Sequence, residues 1–118
     1  MTTATAKFDF NEWHKAHRTN RTASTPALQA MLDEHWQIPR IECADGFNLS
    51  VQASRYHYCS PRETGDHPYS AVEVGFPSER VEVLMPFCES PESPTDTVYG
   101  YVPVDIINDL IESHGGPR

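Results

Sequence analysis

Apolar residues recur at helical spacing near both ends of this chain and at every second position between them. In "FDFNEWHKAHR", Phe10, Trp13, His14 and His17 fall at i, i+3, i+4 and i+7, and Asp9 or Asn11 can serve as N-cap, so the pattern predicts a short helix over about 10–18. "TNRTAS" breaks it. In "STPALQAMLDEHWQIPR", Thr25 is the N-cap candidate and Pro26 suits the first helical position; Leu28, Met31, Leu32, His35 and Trp36 then share a face until Pro39 stops the helix. From residue 40 the period falls to two. Ile41 and Cys43, a turn at Asp45-Gly46, then Phe47, Leu49, Val51 and Ala53 predict a β-hairpin. "YSAVEVGF" puts Val72, Val74 and Phe76 on one face of a strand. "TVYGYV" puts Val98, Gly100 and Val102 on one face of another, with Tyr99 and Tyr101 together on the opposite one.

Two stretches are harder to place. In "SERVEVLMP", Val81 and Val83 alternate as in a strand while Val81, Leu84, Met85 and Cys88 repeat as in a helix; a short strand is the preferred reading. "CESPESPTDT" reads as a solvated loop. The closing "VPVDIINDLIESHGG" is the clearest element, with Pro103 at its start, Val104, Ile107, Leu110 and Ile111 on one stripe, and Gly115 as its stop. The sum is an α+β domain: N-terminal helices, an antiparallel sheet of four to five strands, and a C-terminal helix packed on that sheet. A chain of 118 residues fits one domain, with 1–38 as a helical segment and 39–118 as the sheet plus its helix.

Charge divides the chain differently. Net charge is −8, and residues 41–118 hold thirteen Asp or Glu against four Arg and no Lys. Such a surface repels nucleic acid and anionic membranes and attracts basic protein surfaces. Neither an apolar run of membrane length nor a secretory leader is visible, and Cys43, Cys59 and Cys88 are an odd, widely spaced set. A reducing, cytoplasmic location is the expectation.

The stretch "YHYCSPRETGDHPYSAVEVGF" looks most like an active site. Its His57 and Cys59 could neighbour each other on one strand face, but no oxyanion turn or catalytic signature surrounds them. An uninterrupted strand would also drive Arg55 inward, so either a bulge near Ser54 turns Tyr56 and Tyr58 into the core, or the strand leaves the core there. Cys43, His57, Cys59 and Cys88 are soft ligands without the paired spacing of a zinc site, and the prolines of "ESPESPTD" prevent its carboxylates from converging on calcium. No metal or cofactor is expected. Lys15, Arg18 and Arg21 read as a solvated helix face.

Tyrosine and acid are the unusual pair. Tyr99 and Tyr101, with the carboxylates Glu79, Glu82, Glu89, Glu92 and Asp96 around them, form the candidate partner-binding surface, since tyrosine covers area while keeping a polar tip. The segments "IPRIECADGFNLSVQASRYHYCSPR", "YSAVEVGFPSERVEVLMPF" and "TVYGYVPVDIINDLIESHGG" resemble small bacteriophage- and prophage-encoded proteins, a resemblance that carries no active site with it. It implies a protein similar in size and charge to anti-CRISPR and other anti-defence inhibitors. On that reading the chain binds a host protein or nucleoprotein complex through a basic surface and blocks nucleic-acid binding there, without touching nucleic acid or membrane itself. A phage structural or assembly protein is the alternative, a small enzyme using Cys59 and His57 the second alternative, and pairing into a homodimer stays open.

Overall fold

In the computed structural model, which describes residues 7–19, 24–28, 38–65 and 67–118, Asp9 opens the first helix, α1 (Phe10–Thr19). Its carboxylate accepts the Asn11 N–H at 3.0 Å and its carbonyl accepts the Trp13 N–H at 3.0 Å, so the cap is the aspartate. Phe10 and His14 are buried, as the 3.6-residue period requires. Asn11 fixes the helix to the sheet: its amide donates to the Tyr69 carbonyl at 3.1 Å and accepts the Tyr69 N–H at 2.7 Å. The second predicted helix lies outside the described residues beyond its first turn, where the Thr25 hydroxyl accepts the Leu28 N–H at 3.2 Å.

Four strands follow, β1 (Ile41–Glu42), β2 (Asn48–Gln52), β3 (Ala71–Gly75) and β4 (Val98–Pro103), paired antiparallel in the order β1-β2-β3-β4. The Asp45-Gly46 turn joins the first two. Gly46 sits at φ 98°, and the Asp45 carboxylate accepts the Phe47 N–H at 2.9 Å. Leu49, Val51, Val72, Val74, Tyr99 and Val102 are all fully buried, which gives the sheet one core face.

The last helix, α2 (Val104–Ser113), buries Ile107, Leu110 and Ile111 in that same core. Full burial of each such side chain stabilises the fold by about 1.5–3 kcal/mol. Its end is closed by two bonds, Gly116 N–H to the Ile111 carbonyl and Gly115 N–H to the Glu112 carbonyl, with Gly115 at φ 91°. Side chains of α2 also reach the N-terminal segment: Glu112 accepts the Phe8 N–H at 2.6 Å and Asn108 the Phe10 N–H at 2.9 Å. Beyond α2, residues 116–118 lie along β1, through the Cys43–Pro117 bridge and the Arg118 N–H to the Glu42 carbonyl.

Three expectations are corrected. The first is the stretch read as a short strand, which is a 3-10 helix at Glu82–Phe87; Leu84 is buried and Val83 is 48% exposed. Pro86 supplies no N–H for a strand ladder, whereas a tight turn tolerates it. Phe76 does not continue the inward face of β3, because its backbone turns to φ 50° and leaves the ring 45% exposed. In β4, Val72 pairs with Val102 but Val74 pairs with Tyr99, so one extra residue bulges between them. The bulge shifts the alternation, sending Tyr99 inward and Tyr101 outward.

Candidate functional site

Residues 54–62 form a folded loop rather than a strand extension. β2 ends at Gln52, and the Ser54 hydroxyl then accepts the Tyr56 N–H at 3.0 Å and shares a 2.6 Å hydrogen bond with His57 Nδ1. The Cys59 thiol donates to the Ser54 carbonyl at 3.1 Å. His57 and Cys59 are buried, while Tyr56 and Tyr58 are 48% and 43% exposed, so the inward bulge considered for the tyrosines does not form. Burial pushes the Cys59 thiol up and the His57 imidazole down from their ordinary pKa values. A thiolate–imidazolium pair needs the reverse of both shifts. What this loop does chemically is to satisfy its own polar groups and hold two tyrosines outside.

Tyr58 is placed by β4. The Tyr58 carbonyl accepts the Tyr101 N–H at 3.0 Å, and the Tyr58 N–H meets the Glu73 carboxylate at 3.3 Å. A Cβ on Gly100 would lie 3.3 Å from the Tyr58 Cβ, so glycine at this position lets the loop approach the bulge. Tyr101 itself takes φ 54°, an arrangement that costs a non-glycine residue about 1–2 kcal/mol. Its ring is 49% exposed and lies 6.0 Å from that of Tyr58, over which the Arg62 guanidinium stands at 5.3 Å.

At the other end of β4 the surface changes sign. The Glu89 N–H donates to the Val98 carbonyl at 3.0 Å and the Phe76 N–H to the Thr97 carbonyl at 3.0 Å, so both flank the start of the strand. At the usual strand spacing, Phe76 and Glu89 are about 10 Å apart. Between Glu89 and β4 the loop is pre-formed: Ser93 N–H bonds the Ser90 carbonyl, Asp96 N–H bonds the Ser93 carbonyl, and the Tyr99 hydroxyl donates to the Pro94 carbonyl. Tyr99 is wholly buried, and burial followed by its Cys88 contact pushes its pKa up to about 12.

The predicted surface residues thus separate. Glu79, Glu82, Glu89, Glu92, Asp96 and Tyr101 are exposed, whereas Tyr99 is an internal post under the acidic loop and offers no contact area. Glu82 is ion-paired with Arg80, which lowers its pKa. Among the described residues, Glu89, Glu92 and Asp96 enter no ion pair. Sequence reasoning missed Phe76 and underrated Tyr58. Gly75 and Pro77 on either side of Phe76, and Gly100 between two tyrosines, were the local signals that strand alternation would fail there.

Two other arrangements bear on function. A groove of about 440 Å³ between the N-terminal segment and α2 is lined chiefly by Lys7, Asp9, Asp105, Asp109 and Glu112, which makes it acid-rich in its own right. Among the described residues, no three His, Cys, Asp or Glu side chains converge as metal ligands would, and no helix is long and apolar enough to cross a membrane. No family model, curated protein or solved structure matches the chain.

Proposed function

We propose that this chain is an acidic inhibitor of the anti-defence type, related in kind to the phage-encoded proteins its sequence resembles. It docks the start of β4 on a Lys- and Arg-rich groove of a host protein or nucleoprotein complex and so keeps nucleic acid out of that groove. One observation carries the reading. Three exposed carboxylates, Glu89, Glu92 and Asp96, stand without ion pairs on a loop already ordered by its own backbone, beside a phenylalanine held exposed in a left-handed backbone conformation.

Each part has a physical role. Unpaired carboxylates on an ordered loop steer a basic partner and lose little conformational freedom on contact. The Phe76 ring supplies apolar area that charge alone cannot, and backbone strain of about 1–3 kcal/mol maintained at an exposed aromatic is a mark of functional surfaces. Catalysis by Cys59 and His57 has the weaker case, given the opposed directions of their pKa shifts.

The test is capture of the partner from a bacterial host lysate, followed by binding kinetics over a salt series. Association should slow steeply with salt while dissociation changes little, and the partner's own nucleic acid should compete. Salt-indifferent binding that coexists with bound nucleic acid would overturn the charge-mimic mechanism.

A further inference from the structure

Phe76 takes a backbone conformation that its own neighbour disfavours. It precedes Pro77, a position where extended backbone is preferred, yet it sits at φ 50° with its ring 45% exposed. Its two backbone polar groups hold it there. The N–H donates to the Thr97 carbonyl at 3.0 Å, and the carbonyl accepts Arg40 Nη2 at 2.7 Å. Arg40 is fixed in turn by Asn48, whose Oδ1 accepts its Nε at 3.0 Å and its Nη2 at 2.7 Å. Asn48 is anchored to the turns on either side, its Nδ2 donating to the Gly46 carbonyl at 3.1 Å and its carbonyl accepting the Ser78 N–H at 2.8 Å. We propose that Arg40 is a positioning and specificity residue of the docking face described above, on which reading this depends: it holds the Phe76 ring outward and reserves that spot for an apolar side chain of the partner.

Two properties of the arginine give it this role. Its planar fork reaches the Phe76 carbonyl and the Asn48 side chain together, a geometry that lysine does not reproduce. A left-handed phenylalanine persists only where surrounding bonds over-determine it, and one of the two bonds here comes from a side chain outside its own turn. Charge is the second property. Arg40 is exposed and its hydrogen bonds go to neutral oxygens, so they leave its positive charge in place. A Lys or Arg of the partner is repelled beside it and drawn instead toward Glu89, about 10 Å away. The partner chemistry that fits is therefore in two parts, a leucine-like side chain over Phe76 and, next to it, cations that meet the 89–96 loop.

Two synthetic peptides of equal charge test this on the purified chain. One carries a run of leucines followed by a run of lysines, and in the other the leucines are replaced by serines. At low salt the leucine peptide should bind about fivefold more tightly, the gain expected from covering the exposed part of a phenylalanine ring. Phe76→Ser should erase that preference and Phe76→Tyr should keep it. Arg40→Met should also erase it while the variant still melts as a folded chain and still binds the serine peptide, a loss that a purely structural arginine would not produce. Arg40→Lys, which keeps the charge but not the fork, should lose part of the preference. Because the readout is a ratio between peptides of one charge, the altered net charge of Arg40→Met cancels. Wild-type protein that binds both peptides equally, or Arg40→Met that keeps the preference, would overturn the role of Arg40 and leave the charge-mimic reading standing. Serine-peptide binding that is indifferent to salt would overturn that reading, and the role of Arg40 with it.

Discussion

Ser54 shows how one small side chain decides what a suggestive stretch does. Its hydroxyl takes the Tyr56 N–H and bonds the His57 ring, while its carbonyl takes the Cys59 thiol. Ser54→Ala leaves the buried His57 ring short of a partner and should cost about 1–3 kcal/mol in urea unfolding, together with faster labelling of Cys59 by a thiol reagent. The imidazole also sets a pH dependence. Burial holds the folded His57 pKa below its ordinary 6.5, so the unfolded chain binds a proton that the folded chain refuses, and stability falls as pH drops below about 6.5. His57→Gln should flatten that slope. Asp45 acts lower down: its bonds to the Phe47 N–H and to His114 hold its carboxyl below 3.8, so its contribution is lost as pH falls through that range. Thermal melts at stepped pH measure both. At this scale the sequence was only partly legible. Asp45-Gly46 announced its turn through local backbone chemistry, but whether Tyr56 or His57 points inward depends on a hydrogen bond three residues long, which no periodicity records.

Elements with an unbroken period were legible, and those with an irregular backbone were not. The 41–53 hairpin and α2 follow from alternation and from the Ile107, Leu110 and Ile111 stripe, because burial of one face is what both patterns encode. The β4 bulge defeats the same logic. One inserted residue reverses every side chain beyond it, so a tyrosine pair expected on one face becomes a buried post and an exposed ring. The 82–87 segment carried two competing periods, and Pro86, which has no N–H to give a strand ladder, tips it to the tight helix. Two variants test the elements. Leu110→Ala should cost about 2–5 kcal/mol through lost transfer energy and the cavity left behind, seen as a lowered denaturation midpoint. An unchanged midpoint would contradict the docking of α2. Gly115→Ala should also destabilise, because the new Cβ would fall 2.9 Å from the Ala44 Cβ at a φ of 91°. The strain of that backbone alone is worth about 1–2 kcal/mol.

Across the whole molecule, charge and folding separate. The acid-rich portion, residues 41–118, also supplies all four strands and α2, yet its loop carboxylates stand outside the core they surround. Reversing Glu89, Glu92 and Asp96 together should therefore shift stability by no more than about 0.5 kcal/mol per site while abolishing salt-dependent association, a contrast that a parallel melt and binding titration will show. The balance of charge was legible from composition alone; where it gathers depended on how the loop folds back on β4. The residues after α2 have a consequence of another kind. By lying along β1, the 116–118 segment occupies the Ala44 N–H and the Glu42 carbonyl that the outermost strand would otherwise offer to any passing chain. Clipping the backbone after Gly115 would remove the Gly116 bond that helps close α2, but none of the hydrophobic core residues, and the fold itself would survive. The shortened protein would be left with a sticky margin, and its characteristic failure would be slow clumping through strand addition rather than unfolding.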